Sequence, residues 1–223
     1  MINVYPSILT GELPEAAAQI QAVQSLPQVR VVQIDVIDGQ FVDNLTLTPS
    51  DFCGIAFGEL SADLHLLTEE PVDFVYEMIE HKDHFPVRAV IGQVERMSSQ
   101  SFFLETVSKN EWQAGLSLDI ATPLEEIDDS SWSQLSIVQL MSIEAGFQGQ
   151  EFQPQVLNKI DALAKLAREH KRDIEIIIDG AVSAQTISEL AEHDIDSVVV
   201  GSALWQADDF EATIANLANP QAE

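Results

Sequence analysis

The chain has 223 residues, with 37 Asp or Glu against 10 Lys or Arg and a formal charge of −27. So acidic a molecule excludes nucleic acid and anionic membrane surfaces as partners held by charge. An apolar fraction of 46% supports a sizeable core, and no run of about eighteen apolar residues offers a membrane span.

The length suits a single (β/α)8 barrel domain covering 1–223. The start, Met1 to Pro6, has neither the basic segment nor the small-residue cleavage site of a secretory signal. Cys53 is the one cysteine, which fits a reducing compartment, so a cytoplasmic location is expected.

Short β-branched runs alternate with amphipathic stretches along the whole chain. A strand is expected over Val4–Leu9 and a helix over Leu13–Leu26, with Thr10 near Glu15 as its start signal. The second strand, Val29–Ile37, places Gln33, Asp35 and Ile37 on one face and Val32, Ile34 and Val36 on the other. Strand Ala62–Leu67 precedes helix Pro71–His81, and strand Val87–Gln93 precedes helix Gln100–Lys109. Strands Gln113–Leu118 and Ser136–Met141 come next, then the loop Ser142–Gln153, read as the longest connection of distinctive composition. In helix Gln153–His170, Val156, Ile160, Leu163 and Leu166 recur at helical spacing. Strand Ile174–Asp179, helix Ala184–Glu192 behind Ser183, strand Ser197–Val200 and helix Ala203–Leu217 complete the pattern. Eight strands alternating with helices or helix-like turns are the counting signature of a TIM barrel, with an open doubly wound sheet as the alternative.

Barrel chemistry is built at the C-terminal strand ends. Those ends carry Ser7, Asp35, His65 and Asp179. A carboxylate among aliphatics is costly to bury unless it is paired or used. Two carboxylates facing across a site, with a histidine, suit proton transfer at a carbon next to a carbonyl. The plainer readings are a core arginine partner for Asp35, a satisfied core histidine at His65 and a turn residue at Asp179. Asp38 and Asp43, beside the Gly39 turn, read as capping or solvated. Glycine-bearing loops follow the last three strands: S-I-E-A-G-F-Q-G-Q from Ser142, D-G-A-V from Asp179 and V-G-S-A-L-W from Val200. Loops in these places commonly hold phosphate through backbone N–H groups, which lets an acidic protein bind an anion without lysine.

The segments Y-P-S-I-L at 5–9, I-D-V-I-D-G-Q-F-V-D-N at 34–44, D-L-H-L-L at 63–67, G-L-S-L-D-I-A-T-P-L-E at 115–125, L-M-S-I-E-A-G-F-Q-G-Q at 140–150, I-D-G-A-V at 178–182 and V-G-S-A-L-W at 200–205 occur in one order and spacing. In this the chain resembles the ribulose-phosphate 3-epimerase family, metal-dependent barrels that interconvert ribulose 5-phosphate and xylulose 5-phosphate. The resemblance implies that Asp35 and Asp179 are the acid/base pair and that Asp35, His65 and Asp179 are three of four ligands to a divalent zinc, manganese, iron or magnesium ion. It implies substrate or phosphate contacts from Ser7, His65, Met141, Gly146, Phe147, Gln148, Gly149, Gly180, Ala181, Gly201 and Ser202. A phosphorylated ketose substrate and a homo-oligomer follow from the same resemblance.

The chain also departs from the family. Gln33 stands at the first histidine ligand, and a neutral amide oxygen is a poor substitute on zinc but tolerable for magnesium or manganese. Gln40 replaces a second histidine, Asp43 a proline, Ile37 and Leu67 two methionines, Gln148 and Ala181 loop glycines, and Asp119-Ile120 an N-P pair. The alternatives are a sugar-phosphate binder with impaired catalysis and an epimerase of another ketose phosphate. Phosphate-barrel aldolases and decarboxylases fit less well, because Asp35-Val36-Ile37 lacks the lysine of their Asp-x-Lys pattern.

Overall fold

A computed structural model describes residues 1–220. Its eight strands are β1 Asn3–Ile8, β2 Val31–Ile37, β3 Ser61–Leu67, β4 Val87–Gln93, β5 Gln113–Leu118, β6 Ile137–Met141, β7 Glu175–Asp179 and β8 Ser197–Val200. They pair in parallel in chain order, and β8 returns to β1, so the sheet closes into a single (β/α)8 TIM barrel. Every expected strand is present, with ends displaced by at most two residues.

The alternation in β2 explains its burial at all seven positions. Val32, Ile34 and Val36 join the shell between barrel and helices, which also holds Ile20, Val75, Leu104 and Ile160. The opposite face points inward, where the filling is layered. Asp63, Arg88, Glu175, Tyr5 and Ser197 form a bonded floor near the N-terminal strand ends. Above it lies an apolar layer that includes Tyr5, Ala89, Ile91, Ile137, Ile177 and Val199. Polar residues follow, and then an apolar rim of Ile37, Leu67, Met141, Ile143 and Ala145.

The helices are α1 Leu13–Gln24, α2 Pro71–Glu80, α3 Gln100–Lys109, α4 Gln155–Glu169, α5 Ile187–Leu190, α6 Ser202–Trp205 and α7 Phe210–Ala218. Thr10 does mark the first, donating to Glu15 at 2.6 Å and accepting from the Glu12 N–H at 3.1 Å. Two expectations change. The single helix over Ala203–Leu217 is two, because the Asp209 carboxylate accepts from the Ala212 N–H and starts α7 afresh. Helix Ala184–Glu192 shrinks to α5, since the Ser183 N–H donates to Thr186 Oγ1 and holds the preceding residues in a turn. The longest connection is not Ser142–Gln153 but residues 38–60, which carry the 3₁₀ turn Pro49–Phe52 and a single bridge between Asp38 and Leu45. Among the described residues no helix is long and apolar enough to cross a membrane.

Candidate active site

Parallel pairing sets Asp35 beside His65 and Met141 beside Asp179 at the C-terminal ends of their strands. Thr46 fixes the end of β2, accepting from the Ile37 N–H at 2.9 Å and donating to the Asp35 carbonyl at 2.8 Å. At the far side, the Ser142 N–H donates to the Asp179 carbonyl at 2.7 Å and the Ser142 hydroxyl donates to the Gly180 carbonyl. Trp205 Nε1 donates to the Ser7 carbonyl at 2.7 Å and so ties α6 to β1. The side chains are therefore presented by a frame of backbone and hydroxyl contacts rather than by loose loops.

Asp35 is buried and receives three donors: Ser7 Oγ at 2.6 Å, Gln33 Nε2 at 2.9 Å and His65 Nδ1 at 2.9 Å. Asp179 receives Gln33 Nε2 at 2.7 Å and Gln139 Nε2 at 3.0 Å, both on Oδ2. Burial first, and then the charge of Asp35, push the Asp179 carboxyl up to about 7, against the pull of His65 and the Gln33 bond. Of the two acids Asp35 is the better supplied with donors, and Asp179 is the one held toward its neutral form. Asp35 is not paired with a core arginine; Arg88 is indeed in the barrel, but it bonds Asp63 on the floor.

Ser7, His65, Met141, Gly146, Phe147, Gln148, Gly149, Gly180, Ala181, Gly201 and Ser202 line one cleft with Asp35 and Asp179. Gln33 lies fully buried against both acids. Positive φ values at Gly146 (107°), Gly149 (82°), Gly180 (110°) and Ala181 (49°) show why these loops are glycine-rich. A Cβ on Gly180 would run into Ile143 Cγ1. Gly180→Ala is therefore expected to lower stability by about 1–3 kcal/mol, read as a shift of the urea midpoint at unchanged slope. Gln148 reaches over the third loop, since a Cβ on Gly201 would come within 3.0 Å of its Nε2.

Asp38 caps the loop after β2, with Oδ1 accepting from the Gln40 and Phe41 N–H groups and Oδ2 from Glu69 at 2.8 Å. Burial opposes its ionisation, but these amides prevail and hold its carboxyl below the usual range. Two residues escaped sequence reasoning. Gln139 is the second amide on Asp179, and Gln93 turns its amide oxygen to accept from His65 Nε2 at 3.2 Å while its nitrogen reaches Glu95 at 2.8 Å. The one available signal was a glutamine in a buried strand, alone among apolar residues in β6 and at the C-terminal end of β4.

Asp35, His65 and Asp179 each offer a ligand atom, all within 4.8 Å of one another. This acceptor-rich trio fits a divalent cation, and a histidine whose second nitrogen bonds a carbonyl is the usual support for such a ligand. Gln33 differs: its nitrogen, which cannot ligate, faces the trio.

The description "ribulose-phosphate 3 epimerase family" matches residues 3–205. The ribulose-phosphate 3-epimerase of Mycobacterium tuberculosis is 31% identical over 215 residues, covering 96% of this chain and 90% of that one. That of Bacillus subtilis is 30% identical over 220 residues, covering 97% and 98%. A tryptophan synthase structure from Mycobacterium tuberculosis superposes with a TM-score of 0.66 at 16% identity, covering 97% of this chain and 91% of that one, which reflects the shared barrel alone. With the family match spanning all eight strands and relatives about 31% identical over nearly the whole chain, the chain belongs to the ribulose-phosphate 3-epimerase family.

Proposed function

We propose that the chain interconverts ribulose 5-phosphate and xylulose 5-phosphate by proton transfer at C3, with Asp35 and Asp179 on opposite faces of the sugar. The observation that carries this reading is the unequal environment of two carboxyls joined through one amide. Ser7, Gln33 and His65 all face Asp35, while burial and the charge of Asp35 raise the Asp179 carboxyl to about 7. One base and one acid are thus in place before substrate arrives. Asp35 takes the C3 proton, the electron pair moves toward the carbonyl, and Asp179 returns a proton to the other face. The reverse reaction exchanges the roles.

With the Gln33 nitrogen facing the two acids, His65, Ser7 and Gln33 hold Asp35, and Gln33 with Gln139 holds Asp179; the Ser7 and Gln139 bonds do not involve Gln33 and orient the two acids independently of it. A divalent ion held by Asp35, His65 and Asp179, of the zinc, manganese, iron or magnesium class, would supply polarisation of the carbonyl and charge support for the enediolate. The apolar rim of Ile37, Leu67 and Met141 keeps water from the reacting carbon. Backbone N–H groups of the loops at Gly146–Gly149, Gly180–Ala181 and Gly201–Ser202, with the Gln148 amide, take the phosphate. On this reading the chain works in the cytoplasm as a homo-oligomer, which the family membership supports.

The test is deuterium exchange at C3 of ribulose 5-phosphate in heavy water, followed by NMR on chelated protein and then with each metal. Appearance of xylulose 5-phosphate with C3 exchange supports the reading. Tight binding of the sugar phosphate without exchange under any condition would replace it with a non-catalytic binder, the reading that Gln33 favours.

A further inference from the structure

The four atoms Gln33 Nε2, Asp35 Oδ1, His65 Nδ1 and Asp179 Oδ2 form a compact group. Gln33 Nε2 stands 2.9 Å from Asp35 Oδ1, 2.7 Å from Asp179 Oδ2 and 3.5 Å from His65 Nδ1. His65 Nδ1 stands 2.9 Å from Asp35 Oδ1 and 3.5 Å from Asp179 Oδ2. Ligands around one tetrahedral cation at ordinary bond lengths are about 3.4 Å apart. The Gln33 amide head therefore stands at the fourth corner of a ligand set, with the wrong atom inward. Its other atom, Oε1, is buried with no hydrogen-bond partner among the described residues. An unpaired buried carbonyl is costly, and a half-turn about Cγ–Cδ would put that oxygen where the nitrogen now is.

We infer that Gln33 is a two-position element. Nitrogen inward, its two N–H groups bridge Asp35 and Asp179 and hold the site together without a cation. Oxygen inward, it completes a set of three oxygens and one imidazole nitrogen for a divalent cation. Such a set is harder than one with two imidazoles, so it shifts preference from zinc toward manganese and magnesium. Metal loading must break two amide bonds to carboxylates, so the ion is held weakly and exchanges readily. This inference deepens the epimerase reading and rests on it only for the use made of the ion.

The experiment compares the chelated wild type with Gln33→His and Gln33→Leu, by calorimetric titration with zinc and manganese and by thermal unfolding, with no sugar present. In Gln33→His the zinc-to-manganese affinity ratio is expected to rise at least about tenfold. Chelated Gln33→Leu is expected to melt below chelated wild type at pH 8, because its two carboxyls have lost their bridge. The side-chain amide protons of Gln33 in chelated wild type are expected to exchange slowly and to shift when magnesium saturates the site, a readout that holds even if Gln33→Leu does not fold. An unchanged affinity ratio in Gln33→His, or amide protons indifferent to magnesium, would overturn the inference. A failure of the epimerase reading would appear instead in the sugar exchange assay.

Discussion

Asp179→Asn is expected to slow C3 proton exchange by about 10²–10⁴-fold, the usual contribution of a positioned acid or base. Asparagine keeps an oxygen for the Gln33 and Gln139 amides, which bond Asp179 at 2.7 and 3.0 Å, so the frame survives while the transferable proton is lost. The same substitution is expected to raise thermal stability at neutral pH. In the unfolded chain Asp179 ionises near the ordinary value of about 4, whereas in the fold it is raised to about 7, first by burial and then by Asp35. Between those values the folded state binds more protons than the unfolded one, so wild-type stability falls as pH rises through that window. The neutral asparagine escapes this loss. Melting temperatures of the two chelated proteins should agree near pH 4 and separate steadily up to pH 7, with the variant higher. A variant that melts lower at pH 7.5 would show that Asp179 is not held toward its neutral form.

Arg88→Ala is expected to cost about 3–5 kcal/mol, the penalty for stranding a buried charge. Its guanidinium donates from Nε to Asp63 Oδ1 at 2.8 Å, makes a second bond to Asp63 Oδ2, reaches Glu175 at 3.0 Å and covers the Tyr5 ring at 5.1 Å. Asp63 is fully buried, and burial holds its carboxyl above the usual range even with Arg88 beside it. Without the arginine Asp63 must be protonated or left unpaired, so the loss in urea midpoint should shrink as pH is lowered toward 5. Replacing both partners, as Arg88→Met with Asp63→Leu, should recover at least half the loss, because a buried ion pair is often matched by apolar packing. Exchange activity per folded molecule should remain within about twofold in either variant, since the floor lies across the apolar layer from the cleft.

Strand alternation carried most of the fold, and the strand ends carried most of the site. Asp35, His65 and Asp179 were legible because a carboxylate or imidazole in a β-branched run has few cheap explanations, and the structure brings all three together. Gln93 and Gln139 were passed over because a neutral amide in a strand carries little sequence signal, and only the inward register with a specific neighbour gives it meaning. The Arg88–Asp63 pair was invisible for another reason: β3 and β4 meet only through the barrel's register, here interrupted between Ala62 and Asp63. Helix ends were the least legible, because Asp209 and Ser183 act through local bonds that compete with helix continuation.

The apolar layer built from Ala89, Ile91, Ile137, Ile177 and Val199 separates two charged networks that share the same barrel axis. It interrupts hydrogen bonding along the axis, so a rearrangement of side-chain bonds at one end has no hydrogen-bonded route to the other. Heat tolerance can then be tuned at the floor and turnover at the mouth as separate traits, and a lineage can drift in one without spoiling the other.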